Sequence, residues 1–116
     1  MPDSLTARQK RLHARHLLLP EIGTAGQRRL CAARFACSPQ AEPRAARAAG
    51  EYLRRAGFTE AVGPEPAPDA RVPRLPDAEG LARLAGDPAL EEAAATLAGA
   101  FAAVETIKQV AGTGHP

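Results

Sequence analysis

Apolar residues recur every three or four positions in RAARAAGEYLRRAG, residues 44–57, and this spacing predicts a helix. Arginines occupy most of one side, and the expected buried face carries Ala46, Ala49, Leu53 and Ala56. Gly57 fits the left-handed position that ends many helices. Phe58 is then expected to fold back onto Leu53, as in a Schellman motif.

The longest predicted helix lies near the end of the chain. Asp87 and Pro88 suit its N-cap and first-turn positions, and Gly112 suits its end. Its expected buried stripe carries Leu90, Ala94, Leu97, Phe101, Val104, Ile107 and Ala111. A shorter helix over residues 77–86 is predicted upstream, because an aspartate can cap its start and a glycine can end it.

The N-terminal part of the chain predicts two helices separated by an extended segment. The first is expected to run from Ser4, which suits an N-cap, to about His16. Pro20 disfavours helical geometry in the residue before it, so LLLPEIG is expected to be extended. Gly23 and Thr24 then open a second short helix with the sequence AGQRRLCAA.

Two short apolar segments, RFACS at 34–38 and FTEAVG at 58–63, predict strands, and a third strand is expected at 70–72. Pro73 places that third strand at an edge of the sheet. About six residues separate it from FTEAVG, whereas a parallel crossover needs a dozen or more. The third strand is therefore absent, pairs elsewhere or pairs antiparallel. The order of helices and strands predicts the α/β class.

Composition narrows this picture. The 116 residues are close to the commonest domain size, but they include no Trp, one Tyr and three Phe, and alanine dominates the apolar residues. We expect close-packed helices and marginal stability that a partner chain would increase. The net charge of +2 combines a basic first half with an acidic second half. Because no basic run is interleaved with aromatic residues, we expect no nucleic-acid partner.

Candidate chemistry is sparse. Cys31 and Cys37 form no disulfide framework and lack C-x2-C zinc spacing, so both are interpreted as structural thiols. For Cys31, neighbouring arginines leave a nucleophilic role as the alternative. No metal site is expected from the histidines, and Glu91 with Glu92 is interpreted as a solvated first-turn pair. No apolar run reaches the roughly 20 residues of a membrane span, and the N-terminus lacks an apolar signal core, so a cytoplasmic protein is expected.

The stretch RLHARHLLLPEIGTAGQRRLCAARF, residues 11–35, resembles the start of the MoeB/ThiF/HesA family, the ubiquitin-like-protein-activating adenylyltransferases. Members typically begin with R-Y-x-R-Q or R-Y-x-R-H, followed by L-L-P-E-I-G and then G-Q. Leu12 and His13 depart from the usual Arg-Tyr. The family-motif positions are Arg15, His16, Pro20, Glu21, Gly23, Gly26 and Gln27.

A second resemblance lies at 97–116, where LAGAFAAVETIKQVAGTGHP is similar to the family's final adenylation-domain helix. The matching positions include Glu105, Lys108 and Gly112. The resemblance implies a small, helix-rich, three-layer-like fragment of a Rossmann-type fold, with a short sheet of two or three strands, N-terminal helices and a long C-terminal helix. We expect one truncated ThiF-like domain, with its N-terminal helical segment, degenerate βαβ unit and C-terminal helices at 1–32, 33–75 and 76–116.

The chain lacks the sequence motifs that form the family's nucleotide site. Where the family has the glycine loop G-x-G-G-x-G, the chain has SPQAEPR, in which prolines remove N–H donors and Glu42 adds negative charge. Arg44 could attract an anion but does not replace the loop. The acidic ribose clamp is replaced by Gly63-Pro64-Glu65, and the zinc-binding cysteine pairs and the catalytic cysteine domain are missing. We therefore expect no catalytic residue, no cofactor and no metal.

The resemblance implies a function through association. Arg15 matches the arginine that reaches the ATP of the partner subunit in this family, although a solvated helical arginine explains it equally well. The leading hypothesis is a pseudoenzyme that acts as a dimerising scaffold or regulatory partner, in a homo-oligomer or in a hetero-oligomer with a full-length member, and offers Arg15 in trans. The alternative is a stand-alone binding module for a ubiquitin-like or sulfur-carrier protein. A residual nucleotide-binding enzyme that uses Arg44 and Cys31 comes last.

Overall fold

The computed structural model of the chain describes residues 23–62 and 68–112. The helices are α1 Gly23–Ala32, α2 Pro43–Ala56, α3 Ala78–Ala85 and α4 Glu91–Ala111, and the strands are β1 Arg34–Phe35 and β2 Thr59–Glu60. A turn of 3-10 helix, Pro88–Leu90, joins α3 to α4. The result is a helix-rich α/β arrangement. The predicted first helix, from Ser4 to His16, and the extended segment up to residue 22 lie outside the described residues.

The sheet consists of β1 and β2 in parallel, with Arg34 opposite Thr59 and Phe35 opposite Glu60. The predicted third strand is reduced to a single parallel bridge between Arg71 and Phe35. The Arg71 N–H donates to the Arg34 carbonyl at 2.8 Å, and the Ala36 N–H donates to the Arg71 carbonyl at 2.9 Å. Residue 71 therefore pairs with β1, on the side away from β2. Of the three alternatives, pairing elsewhere is the one observed.

The end of α2 is the predicted Schellman motif. Gly57 has φ of 118°, and its N–H donates to the Arg54 carbonyl at 3.1 Å. The Phe58 N–H donates to the Leu53 carbonyl at 2.9 Å. This returns Phe58 to the core, where its ring meets Phe35 edge-on with centroids 6.4 Å apart. The local signal in the sequence thus fixes both the end of the helix and the start of β2.

Two aspartates cap the next helical segments, as predicted. The Asp77 carboxylate accepts a hydrogen bond from the Gly80 N–H at 2.7 Å, and Asp87 accepts one from the Ala89 N–H at 2.8 Å. The first turn after Asp87 is 3-10 rather than α-helical, so α4 itself begins at Glu91. The left-handed glycines Gly86 and Gly112 end α3 and α4.

Helices α2 and α4 pack closely at Gly99. A Cβ atom on Gly99 would lie 2.6 Å from the carbonyl oxygen of Ala45 and 2.7 Å from the Cβ of Ala48. Contact of this kind leaves room only for small side chains. The buried face of α4 accordingly consists of Ala95, Gly99, Ala102, Ala103, Thr106, Ile107 and Ala111.

The predicted buried stripe of α4 is wrong at four of its positions. Leu97 is 70% exposed and Phe101 is 69% exposed, and Leu90 and Val104 are exposed as well. Only Ile107 and Ala111 of that stripe are buried, with Ala94 partly buried. The reason is steric: the close approach of α2 at Gly99 requires small side chains on the adjoining face, and this turns Leu97 and Phe101 outward.

The main core lies between α1, the sheet, α2 and the second half of α4. Its members are Leu30, Phe35, Leu53, Ala56, Phe58, Ala103, Ile107 and Ala111. A smaller cluster of Ala45, Leu81 and Ala95 lies where α3 meets α2 and α4. Arg29 joins α1 to the end of α4, because its guanidinium donates to the carbonyls of Val110 and Ala111. A cation at this end of a helix is favoured by the helix dipole.

Candidate functional site: the turn before α2 and the outer face of α4

The turn between β1 and α2 is closed by its own hydrogen bonds. The Ser38 hydroxyl donates to Gln40 Oε1 at 2.7 Å and accepts from the Gln40 N–H at 3.2 Å. The Glu42 N–H donates to the Pro76 carbonyl at 2.8 Å, which attaches the turn to the segment before α3. The N–H groups of Gln40 and Glu42 therefore donate within the chain, whereas a phosphate-binding loop would direct such donors at its ligand.

The carboxylate of Glu42 caps the N-terminus of α2. Its Oε1 atom accepts hydrogen bonds from the Arg44 N–H at 2.8 Å and from the Ala45 N–H at 3.0 Å. The side chain is only 7% exposed. Helix N-termini attract anions because their N–H groups lack partners within the helix. In this chain the attracted anion is its own glutamate.

Arg44 lies between two carboxylates. Its Nε is 2.8 Å from Glu42 Oε2, and its Nη2 is 2.9 Å from Glu91 Oε1. The hydrogen bonds to Glu91 and Glu42 raise the pKa of Arg44 above its ordinary value. The interpretation of Glu91 as part of a solvated pair is therefore corrected: it binds Arg44 and joins the first turn of α4 to the start of α2.

The pKa of Glu42 reflects opposing effects. Desolvation by burial alone would raise the pKa, but the hydrogen bonds from Arg44 and from the Ala45 backbone, together with the positive charge of Arg44, outweigh it. The pKa of Glu42 therefore lies below its ordinary value. The carboxylate stays ionised, and Arg44 has its charge neutralised by two partners, so this turn presents no cationic site for phosphate.

The cysteines lack the environment of a nucleophile. Burial raises the pKa of the Cys31 thiol above its ordinary value. The pKa of Cys37 is also raised, first by burial and then by the charge of Glu60, against a smaller lowering by Arg54. A reactive thiol needs a lowered pKa. The structure thus favours structural thiols at both positions over the alternative role of Cys31.

The outer face of α4, together with the residue before it, exposes several large apolar side chains. We use the name "α4 apolar face" for Leu90, Leu97, Phe101 and Val104. An open groove of about 490 Å³ runs beside it, between α4 and the segment after Arg71. Val72 and Phe101 give the groove an apolar wall, and Arg74, Glu105 and Gln109 give it polar ones. This combination suits a protein contact with an apolar centre and a polar rim.

The family-motif residues do not form one site in the described structure. Gly23 begins α1, Gly26 and Gln27 are buried in that helix, and Gly112 ends α4. Glu105 and Lys108 are exposed on α4. Arg15, His16, Pro20 and Glu21 lie outside the described residues.

Two features of the described structure were not predicted from the sequence. The Gln27 side chain is fully buried, and its amide nitrogen and oxygen make no hydrogen bond. No periodic pattern distinguishes such a residue from a solvated glutamine. The Glu42–Arg44–Glu91 network was also missed, although the run Glu-Pro-Arg before an alanine-rich helix carries a local signal, since an acidic side chain ahead of a first-turn proline suits a cap.

The described residues contain neither a candidate membrane span nor a candidate metal site. No helix there is long and apolar enough to cross a membrane. No three His, Cys, Asp or Glu side chains within residues 23–62 and 68–112 are grouped so that they could hold a metal ion.

Comparisons with known proteins find no relative of this chain. No family model, no curated protein and no solved structure matches the chain.

Proposed function

We propose that this chain is a non-catalytic relative of the MoeB/ThiF/HesA family, with a Rossmann-type origin, that acts by associating with itself or with a complete adenylating enzyme. The observation that carries the proposal is the capping of α2 by Glu42. In the family, the helix after the first strand receives the nucleotide phosphates at this end. Here the same position is filled by a negative charge of the chain.

Binding a phosphate at this position would require Glu42 to leave. The helix would then lose two backbone hydrogen bonds, and Arg44 would lose one of its two partners. Loss of an N-cap alone costs about 1 kcal/mol. Pro43 provides no N–H at the first helical position, so even an emptied site would offer fewer donors than a glycine loop.

A contact function has support of its own. Large apolar side chains on one helix face, next to a groove with polar walls, are typical of protein interaction sites. Arg15 belongs to the proposal as the residue that would bring positive charge to the ATP of a complete partner. It would act on a reaction that this chain does not perform.

The nucleotide part of the proposal is tested by calorimetry. We expect no heat of binding when Mg-ATP or AMP is titrated into the purified chain at millimolar concentration. The matched positive control is a complete family member under the same conditions. Saturable binding of either nucleotide would contradict the proposal and favour the residual enzyme.

The association part is tested by co-expression with a complete family member from the same host. A stable hetero-oligomer is expected, and Arg15→Ala should leave the complex intact while it lowers adenylate formation by the partner. Arg8→Ala is the control for loss of one N-terminal charge. A chain that ignores every complete homologue, but retains a ubiquitin-like or sulfur-carrier protein, would replace the proposal with the stand-alone binding module.

A further inference from the structure

The groove between α4 and the segment after Arg71 is open in the described structure. Val72, which is 61% exposed, and Phe101, which is 69% exposed, form its apolar wall. Within the described residues, residue 71 pairs with the sheet from the β1 side only, so an edge is open beside Val72. An open edge next to an apolar helix surface suits an extended segment with apolar side chains.

The groove alone is too small to hold a separate protein. From Phe101 to Gln109 the α4 side of the groove is about 12 Å long, and at a helix width of about 10 Å it offers on the order of 120 Å². A standard interface buries about 800 Å² per partner. A segment of the same chain needs much less contact, because its tether holds it at an effective concentration in the millimolar range. The size of the groove therefore favours an occupant from this chain.

One segment outside the described residues has the chemistry that the groove requires. Leu17, Leu18 and Leu19 form the only run of three consecutive large aliphatic residues in the sequence. Pro20 disfavours helical geometry in the residue before it, so an extended backbone is favoured here. Residues 15–22 contain one arginine and one glutamate, and the groove is lined by one of each. Docking would therefore bring no net charge to the groove.

The position of α1 places this segment within reach of the groove. Arg29 of α1 binds the carbonyls of Val110 and Ala111, which directly follow Gln109 at one end of the groove. Gly23, where α1 begins, lies about 9 Å along the helix from Arg29. The chain before Gly23 adds about 20 Å for every six extended residues. The three leucines can therefore lie along the groove without crossing the molecule.

We propose that residues 17–22 dock in the groove of their own chain, with leucine side chains against Phe101 and Val72. The docked segment runs beside the open edge at Val72 and covers the exposed ring of Phe101. The groove is thus a binding site for an apolar, extended segment, and the chain itself supplies the occupant. Docking also sets the position of Arg15 beside α4, because only His16 separates it from the leucines.

Hydrogen exchange of the full chain, followed by mass spectrometry, tests the docking. In the wild type, the amides of residues 17–22 should exchange about tenfold or more slowly than in a free peptide of the same sequence. Phe101→Glu should remove this protection, because it places a charge in the apolar wall. The matched control is Leu97→Glu, at a position on the same helix that is 70% exposed and does not line the groove. A segment that exchanges as fast as the peptide, or whose protection responds equally to both variants, would overturn the proposal.

Disulfide formation tests where the segment lies. In a background with Cys31→Ser and Cys37→Ser, one chain combines Leu18→Cys with Glu105→Cys in the groove. The control chain combines Leu18→Cys with Val62→Cys, at an 84% exposed position after β2. On oxidation the groove pair should close within one chain several-fold faster than the control pair, with a yield that does not change on dilution. Equal rates would overturn the proposal, and a product that forms only between chains would assign the groove to a second copy. Neither experiment involves a nucleotide or a partner protein, so both outcomes are independent of the proposed function.

Discussion

At the scale of single residues, Glu42 determines what the turn before α2 can bind. Its carboxylate accepts two backbone hydrogen bonds and forms an ion pair with Arg44, with all three distances within 3.0 Å. These contacts replace the ligand that an open helix N-terminus would attract. Glu42 therefore occupies a helix N-terminus that would otherwise attract an anion. Protonation of its carboxylate should lower the free energy of unfolding.

Glu42→Gln should lower the free energy of unfolding by about 1 kcal/mol at neutral pH, because the amide is a weaker cap than the carboxylate. Folding lowers the pKa of Glu42, so the stabilisation is fully present above the unfolded pKa and is lost as pH falls through the folded pKa. Urea unfolding at neutral and strongly acidic pH should therefore show a difference between wild type and variant only at neutral pH. Glu51→Gln, at an exposed position of α2, is the control; an equal loss at both pH values would contradict the role of the charge.

Replacing Gln27 should raise stability, in contrast to replacing Glu42, because the buried amide of Gln27 lacks hydrogen bonds. Removing an unsatisfied buried polar group recovers about 1 to 3 kcal/mol when an apolar side chain of similar shape replaces it. Gln27→Leu should therefore raise the midpoint of thermal unfolding, measured by circular dichroism. A fall in that midpoint would mean that the amide has a partner in the folded protein.

At the scale of elements, the contact between α2 and α4 depends on the absence of a side chain at Gly99. Gly99→Ala should force the two helices apart and cost about 1 to 3 kcal/mol, measured by urea unfolding. Gly50→Ala is the matched control, because its Cβ would meet only the flexible end of Arg54 at 3.2 Å. That control should be neutral or stabilising by up to about 1 kcal/mol, since alanine favours helix over glycine. Equal effects at both positions would show that helix propensity, not contact, sets the result.

The sequence was informative wherever an element is determined by its neighbours in the chain. Asp77, Gly57 and Gly112 predicted helix ends correctly, because caps depend on residues within one turn. The buried face of α4 was predicted wrongly, since the approach of α2 at Gly99 decides it. The pairing of residue 71 with β1 is likewise set by the sheet and not by the residues around position 71.

The candidate site was likewise predictable only where residues close in the chain determine it. The negative charge of Glu42 at the start of α2 was anticipated from the sequence, because it lies directly before a predicted helix. Its network was not anticipated, because Arg44 and Glu91 are 47 residues apart in the chain. A pattern of local spacing carries no information about which of several glutamates an arginine will reach.

At the scale of the whole molecule, stability and association should be linked. Self-association of folded chains alone raises the apparent free energy of unfolding with the logarithm of protein concentration. The thermal midpoint of the wild type should therefore fall on dilution, whereas that of Leu97→Glu, which places a charge on the α4 apolar face, should stay constant. Differential scanning fluorimetry over a dilution series provides the measurement, with Val62→Glu expected to follow the wild type. A midpoint independent of concentration in all three proteins would contradict this linkage.

The contact at Gly99 has a consequence for how mutations in this chain should be interpreted. On most amphipathic helices, the positions most sensitive to substitution are the most hydrophobic ones. Around Gly99, volume and not hydropathy separates the inward from the outward positions of α4, because Ala95, Gly99, Ala102 and Ala103 lie inward and Leu97 and Phe101 lie outward. In a saturation mutagenesis screen for folding, a methyl group added at residue 99 should therefore be rejected more strongly than a charge at residue 97. A stability score based on hydrophobicity would rank these two substitutions in the reverse order.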